Sequence, residues 1–292
     1  MTQALAAPAT AARAPRAGIG RLFRAELRWI FHRPRTLIVL GLLAVIPAII
    51  GVALTLAGSQ PGPSSAQGPP GAGLLASSVG NSLVLPVAAL TMMLAFLLPL
   101  TASMPAADAL AGETSQGTLR GWLLAPVSRG RLLTVKALGV GVVITTAVLL
   151  VALVGVLTGL LMNDSGSLVT LSGTTVSFGG ALGRVAIAAG WVIVQLLAVG
   201  AVALAISSLT EHPMLVVVAV LAGDIVFTVL GTLDALSWLH PFLLTEPWQL
   251  ALTTVLREPM PLDSLADGTL RAVCYIAIGL SLAYARLTTK DG

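Results

Sequence analysis

The sequence predicts an all-α membrane protein built on six transmembrane helices. Three observations carry this. The chain is 56% hydrophobic and only 10% charged, with a mean hydropathy of +0.96, where a soluble domain carries about a quarter charged residues. Residues 36–107 contain no charged side chain, and residues 137–163 contain none either, against about 20 apolar residues needed per crossing. Most cations fall in alternate connections between the apolar runs, as the positive-inside bias requires.

Residues 1–18 are rich in Ala, Pro and Arg, contain no acid, and have no apolar periodicity. They read as a disordered cytoplasmic tail. The composition also matches an organelle transit peptide, but it has no secretory h-region. Over residues 19–35, Ile19, Leu22, Phe23, Leu27, Ile30 and Phe31 recur at helical spacing while Arg21, Arg24 and Arg28 take the other side. That is an interfacial amphipathic helix with a basic face for anionic headgroups. Pro34 breaks it ahead of the first span.

The 36–107 stretch is too long for one crossing. Its middle, about 58–83, is dense in Gly, Pro, Ser and Gln and reads as an external loop. Span one is then about 36–57 and span two about 84–107, with Pro47, Pro86, Pro99 and Pro105 tolerated because neighbours can satisfy freed carbonyls. Span three is about 137–163. Its Gly155 and Gly159 stand at the spacing that permits close helix approach, a pattern that a glycine-rich chain also produces by chance. Residues 164–183 form a polar external loop, span four is about 184–209, and Thr210-Glu211-His212-Pro213 turns the chain into span five, about 214–233.

Asp224 lies near the centre of span five. A carboxylate there costs about 2.5 to 3.5 kcal/mol on insertion scales, so it faces a partner or a wet cavity rather than lipid. It is a candidate translocation-path acid, or a hydrogen-bonded packing residue. Residues 234–268 mix acids with Trp238, Phe242, Leu243, Leu244 and Trp248, which suits an external hairpin embedded in the interface. Within it Thr245, Glu246 and Pro247 read as helix cap, first-turn acid and early proline. Span six is about 269–287, with Arg271 snorkelling outward. Thirteen of the sixteen cations then lie on one side, all but Arg184, Arg257 and Arg271. Both termini are therefore expected in the cytoplasm, and the protein in the cytoplasmic membrane as a multi-pass subunit.

Between spans two and three, residues 112–136 carry Arg120, Arg129, Arg131 and Lys136 against the single acid Glu113. The expectation is that this segment sits in cytoplasmic water. Leu119, Trp122 and Leu123 form an apolar stripe on a short helix that Pro126 ends, and Ser128 is placed to cap the next helix. Such a knob docks a soluble partner or lies on the lipid surface; the residues alone allow both.

Glu113, Gly117-Thr118-Leu119, Leu123-Leu124, Pro126-Val127-Ser128-Arg129 and Lys136 resemble the signature of ABC-2 type transporter permeases between their second and third spans. The resemblance implies that this stretch is the coupling helix against an ATP-binding cassette ATPase subunit, with Glu113, Gly117, Thr118, Leu119, Trp122, Leu123, Pro126, Ser128 and Arg129 as coupling residues. It also implies an interfacial helix before span one, a pair of short re-entrant helices between spans five and six, and a dimer with a second permease subunit, homo- or heterodimeric. The implied function is a permease subunit of an ATP-driven exporter. The scarcity of charge in the spans favours a hydrophobic or amphiphilic cargo such as a drug, antibiotic or lipid.

Other chemistry finds little footing. No G-x-x-x-x-G-K-[ST] frame is present, so ATP and Mg belong to a partner and no cofactor is expected in this chain. His32, His212 and His240 have no second ligand at metal spacing. The single Cys274, in an apolar run, reads as a small buried hydrophobe. No aromatic platform accompanies the arginines, so nucleic acid is not an expected partner. The alternative is a non-transporting membrane protein, either an intramembrane enzyme around Ser207, His212 and Asp224 or a sensor whose loop recruits a partner. A proton-coupled carrier using Asp224 would want an internal repeat or a second intramembrane charge, and neither is present.

Overall fold

In the computed structural model, residues 19–57, 81–117, 128–162 and 168–289 are described, with Leu74, Ser77 and Ser78. The expected disordered tail, most of the 58–83 loop, and Thr118, Leu119, Trp122, Leu123 and Pro126 of the expected coupling helix lie outside the described residues. The helices are α1 (Ile19–Phe31), α2 (Pro34–Ala57), α3 (Leu85–Leu94), α4 (Leu97–Ala107), α5 (Arg129–Met162), α6 (Phe178–Leu209), α7 (Pro213–Gly231), α8 (Pro247–Thr254) and α9 (Asp263–Thr289). Among the described residues, five helices are long and apolar enough to cross a membrane, and the bent pair α3/α4, counted as one span, brings the number to six.

Helix α1 ends at Phe31 and α2 begins at Pro34, whose missing N–H costs nothing in a first turn. Span two is not one straight helix. Its halves meet at Ala95 and Phe96, where the axis bends by 57°, and Phe96 has a non-helical φ of −156°. Pro99 lies in the first turn of the second half, so the backbone donor it lacks falls close to a break that already exists. Past Ala107 the helix widens into a π turn, Asp108–Gly112, and closes with one more α turn, Glu113–Ser115. The span therefore extends eight residues beyond its expected end at Ala107.

Helix α6 is the axis of the bundle. Two thirds of its apolar window is buried (67%), against 11% for α7, and it packs on α4, α5, α7 and α9. Helix α7 consequently turns most of its surface outward, Val218, Ile225, Val226 and Val229 included, as a lipid-facing helix does. Close approaches are bought with small residues. Gly155 lies against Pro86 and Gly159 against the Ser82 carbonyl, leaving no room for a Cβ, so the paired glycines are in use at the α3/α5 contact.

The connection before α6 contains a two-residue antiparallel hairpin, β1 (Leu168–Val169) with β2 (Thr175–Val176), which the reading of a plain loop misses. The Asn81 side chain extends it by pairing with both backbone groups of Val169, at 2.6 and 3.3 Å. After α7 come a 3₁₀ segment, Asp234–Phe242, and α8, whose Ala251 and Leu252 are fully buried together with Val255 and Leu256 just past its end. Leu243, Leu244 and Trp248 join that core, whereas Trp238 and Phe242 stay exposed. Helix α8 opens with Glu246 rather than Thr245 at the cap position, without a side-chain cap bond. Cys274 corrects another expectation: it is exposed, on the outward side of α9 with Val273 and Ile278. The period of α9, not the polarity of the residue, decides this. Arg271 lies well inside α9 and reaches toward the hairpin, bonding the His240 carbonyl at 3.1 Å and Glu246 at 2.6 Å.

Candidate functional site

The ends of α4, α6 and α9 and the starts of α2, α5 and α7 gather at one end of the bundle, where α1 packs on α5 and α2. Here the structure places what the sequence scattered. Lys136, expected in water, is 2% exposed. The correction has a simple cause: α5 starts at Arg129, seven residues before Lys136, so the helix carries the ammonium two turns into the packed region. A buried ammonium needs anions around it. Glu26 of α1 supplies both carboxylate oxygens at 3.0 Å, and Glu113 at the end of span two supplies a third ion-pair contact. Three segments distant in sequence are thereby fastened at one point.

A second pairing lies beside it. Asp108, at the start of the π turn, binds Arg33 at 2.8 Å and also Arg35, at the α1/α2 corner. The Arg33 guanidinium lies over the Trp29 ring, 3.3 Å from its centroid, and Lys136 is 5.3 Å from the same ring. Burial lowers the Arg33 guanidinium from its ordinary value, while Glu26 and Glu113 pull the other way. Three cations (Arg33, Arg35, Lys136) face three acids (Glu26, Asp108, Glu113), so the cluster is neutral as a whole.

The segment expected to contact an ATPase is held at both ends. At its near end Glu113 is in the ion cluster, and Gly117 closes the helix with a left-handed φ of +69°, which a side chain would strain. At its far end Ser128 stands immediately before α5, and its carbonyl accepts the Leu132 N–H at 3.1 Å. Arg129 does not project freely. It donates to the Leu287 and Thr288 carbonyls at 2.8 and 2.5 Å, a cation on the last turn of α9.

Ser207, weighed from sequence as a nucleophile, is otherwise employed. Its hydroxyl donates to the Ala107 carbonyl at 3.1 Å and accepts the Ala111 N–H at 2.9 Å, bridging the helical bond that the π turn opens. It is 1% exposed, whereas His212 is exposed at the start of α7, and no hydrogen bond joins the two. Asp224 is 8% exposed, and no partner binds its carboxyl among the described residues. These three residues do not form a catalytic set.

Sequence reasoning missed Glu26, Arg33, Arg35 and Asp108 as members of a site. A signal existed for one of them: Glu26 is the only acid before Asp108, set on an otherwise basic helix. Compared with known proteins, residues 22–291 match the family described as ABC-2 family transporter protein. No curated protein matches the chain.

Proposed function

Because the chain belongs to the ABC-2 transporter family, being matched over residues 22–291, we propose that it is the permease subunit of an ATP-driven exporter and that residues 112–136 are where a separate ATPase subunit engages it. The family makes it an integral membrane transporter component without catalysis of its own. The single observation that carries the finer reading is the buried Lys136 joined to both Glu26 and Glu113. A loop meant to transmit force must stand on a base that does not yield, and this base ties α1, the end of span two and the start of span three together. Breaking such a buried pair costs about 3–5 kcal/mol.

In this reading nucleotide-driven movement of the ATPase pushes on the 118–127 segment. Glu113 and Lys136 pass the displacement to α4 and α5, and Glu26 to α1. ATP and Mg are bound by the partner. A second permease subunit completes the assembly, in the cytoplasmic membrane with both termini inside. The interfacial helix and the hairpin of Asp234–Phe242 and α8 lie at the inner and outer surfaces respectively. The cargo is hydrophobic or amphiphilic.

The test is purification of the tagged chain from its own membranes. A nucleotide-hydrolysing subunit is expected to accompany it. Replacing Leu119, Trp122 and Leu123 together by Glu should leave the chain inserted and abolish stimulation of that hydrolysis by transport cargo. Recovery of the triple variant with its ATPase in normal amount and with normal stimulation overturns the proposal.

A further inference from the structure

At the opposite end from the ion cluster, a cavity of about 280 Å³ opens between the broken span two, α7 and the hairpin. That is near the lower end of ligand-site volumes. Much of its polar wall offers hydrogen-bond acceptors, the Glu246 carboxylate among them. Four threonines line it, and three of them have already given their protons to their own helices: Thr91 to Val87 O at 2.8 Å, Thr228 to Asp224 O at 2.9 Å, and Thr232 to Val229 O at 2.7 Å. These three therefore present only oxygen lone pairs. The Trp248 indole N–H is taken by Gln195, and Arg271 Nη1 is held by Glu246 and by the His240 and Leu243 carbonyls.

Two more polar atoms in this wall, His240 Nε2 and Thr245 Oγ1, are buried without a hydrogen-bond partner. Leaving such groups unmet costs about 1–3 kcal/mol each. Ala95 and Gly231 bring the C-terminal ends of α3 and α7 to the cavity, and these are the negative ends of their helix dipoles. Apolar surface comes from Leu94, Phe227 and Trp248. One face of α7 then leads inward. Gly231, Phe227 and Asp224 follow one another at four- and three-residue steps, so the Asp224 carboxylate, buried and without a partner among the described residues, stands about one turn deeper than the cavity's lining on the same stripe.

The acceptors, the C-termini of α3 and α7, the apolar rings and the Asp224 carboxylate favour the same chemistry, against the N-terminus of α8, which Thr245, Glu246 and Trp248 bring to the same wall. We propose that this cavity binds an amphiphilic cation, an apolar molecule carrying a protonated amine, with Asp224 as the countercharge. The physiological sense of the site rests on the permease reading, but binding itself does not require it.

The test uses the full chain in nanodiscs of zwitterionic lipid, so that surface charge does not favour amines. A dansylated long-chain primary amine and its N-acetyl amide are titrated by fluorescence anisotropy, with unlabelled compound as competitor. The amine should bind at least about tenfold more tightly than the amide, a difference of about 1.4 kcal/mol. Asp224→Asn should erase that preference while leaving the amide unchanged. Thr245→Val removes a hydroxyl that supports nothing else in the fold, so it keeps the test open should Asp224→Asn fold poorly; it should weaken the amine several-fold. Equal affinity for amine and amide, or an amine preference untouched in both variants, overturns the proposal. No ATPase is present, so failure of the coupling test above leaves this result standing, and failure here leaves the coupling reading standing.

Discussion

The Ser207 hydroxyl fills the place of one missing helical hydrogen bond, standing between the Ala107 carbonyl and the Ala111 N–H. In the π turn of span two the Ala111 N–H no longer bonds the carbonyl four residues back, and the serine oxygen accepts it instead. Through this bridge α6, the axis of the bundle, grips the turn whose two ends bear Asp108 and Glu113. The serine is part of the scaffold that aims the acids of the ion cluster.

Ser207→Ala should consequently destabilise the protein by about 1–3 kcal/mol, read as a lowered melting midpoint in detergent. Ser207→Thr should recover part of it. A fluorophosphonate probe should leave wild-type Ser207 unlabelled. Stoichiometric labelling would return the residue to the nucleophile reading.

Lys136→Met leaves the Glu26 and Glu113 carboxylates buried together. It should cost about 3–5 kcal/mol, while the double variant Lys136→Met with Glu113→Gln should cost clearly less than the sum of the single ones. A double-mutant cycle on thermal stability measures the coupling, and additivity would show that the two side chains do not act as a pair.

Arg129→Gln removes the charge held over the last carbonyls of α9. Amide exchange over residues 280–289 should quicken, with the middle of α9 unaffected. Unaltered exchange at that end would mean that Arg129 points elsewhere, toward a partner.

That the chain crosses a membrane several times as helices was legible because lipid permits little else: a chain with residues 36–107 and 137–163 uncharged has to span, and Pro34 and His212-Pro213 mark where helices begin. The segment rich in cations was legible for the same reason. The break at Ala95–Phe96 was not, since nothing between Val84 and Pro99 is less apolar than an ordinary span. Neither was the hairpin of β1 and β2, whose pairing with Asn81 joins residues 88 positions apart.

Composition and the placement of charge thus determined, with no structure, that this is a helical membrane protein whose basic loop follows the second crossing. Periodicity assigned a face to the interfacial helix and to the short helix expected over Leu119, Trp122 and Leu123, and to none of the spans. What it left open is which helix meets which, because in a bilayer every apolar face is equally content with lipid. Only the packed bundle decided that Lys136 leaves water for Glu26 and Glu113, that Arg129 turns back to α9, that Ser207 braces a helix and that Asp224 meets no partner among the described residues. Each of those outcomes pairs, or fails to pair, groups that the chain keeps far apart, and a buried charge is stable only where folding brings its partner.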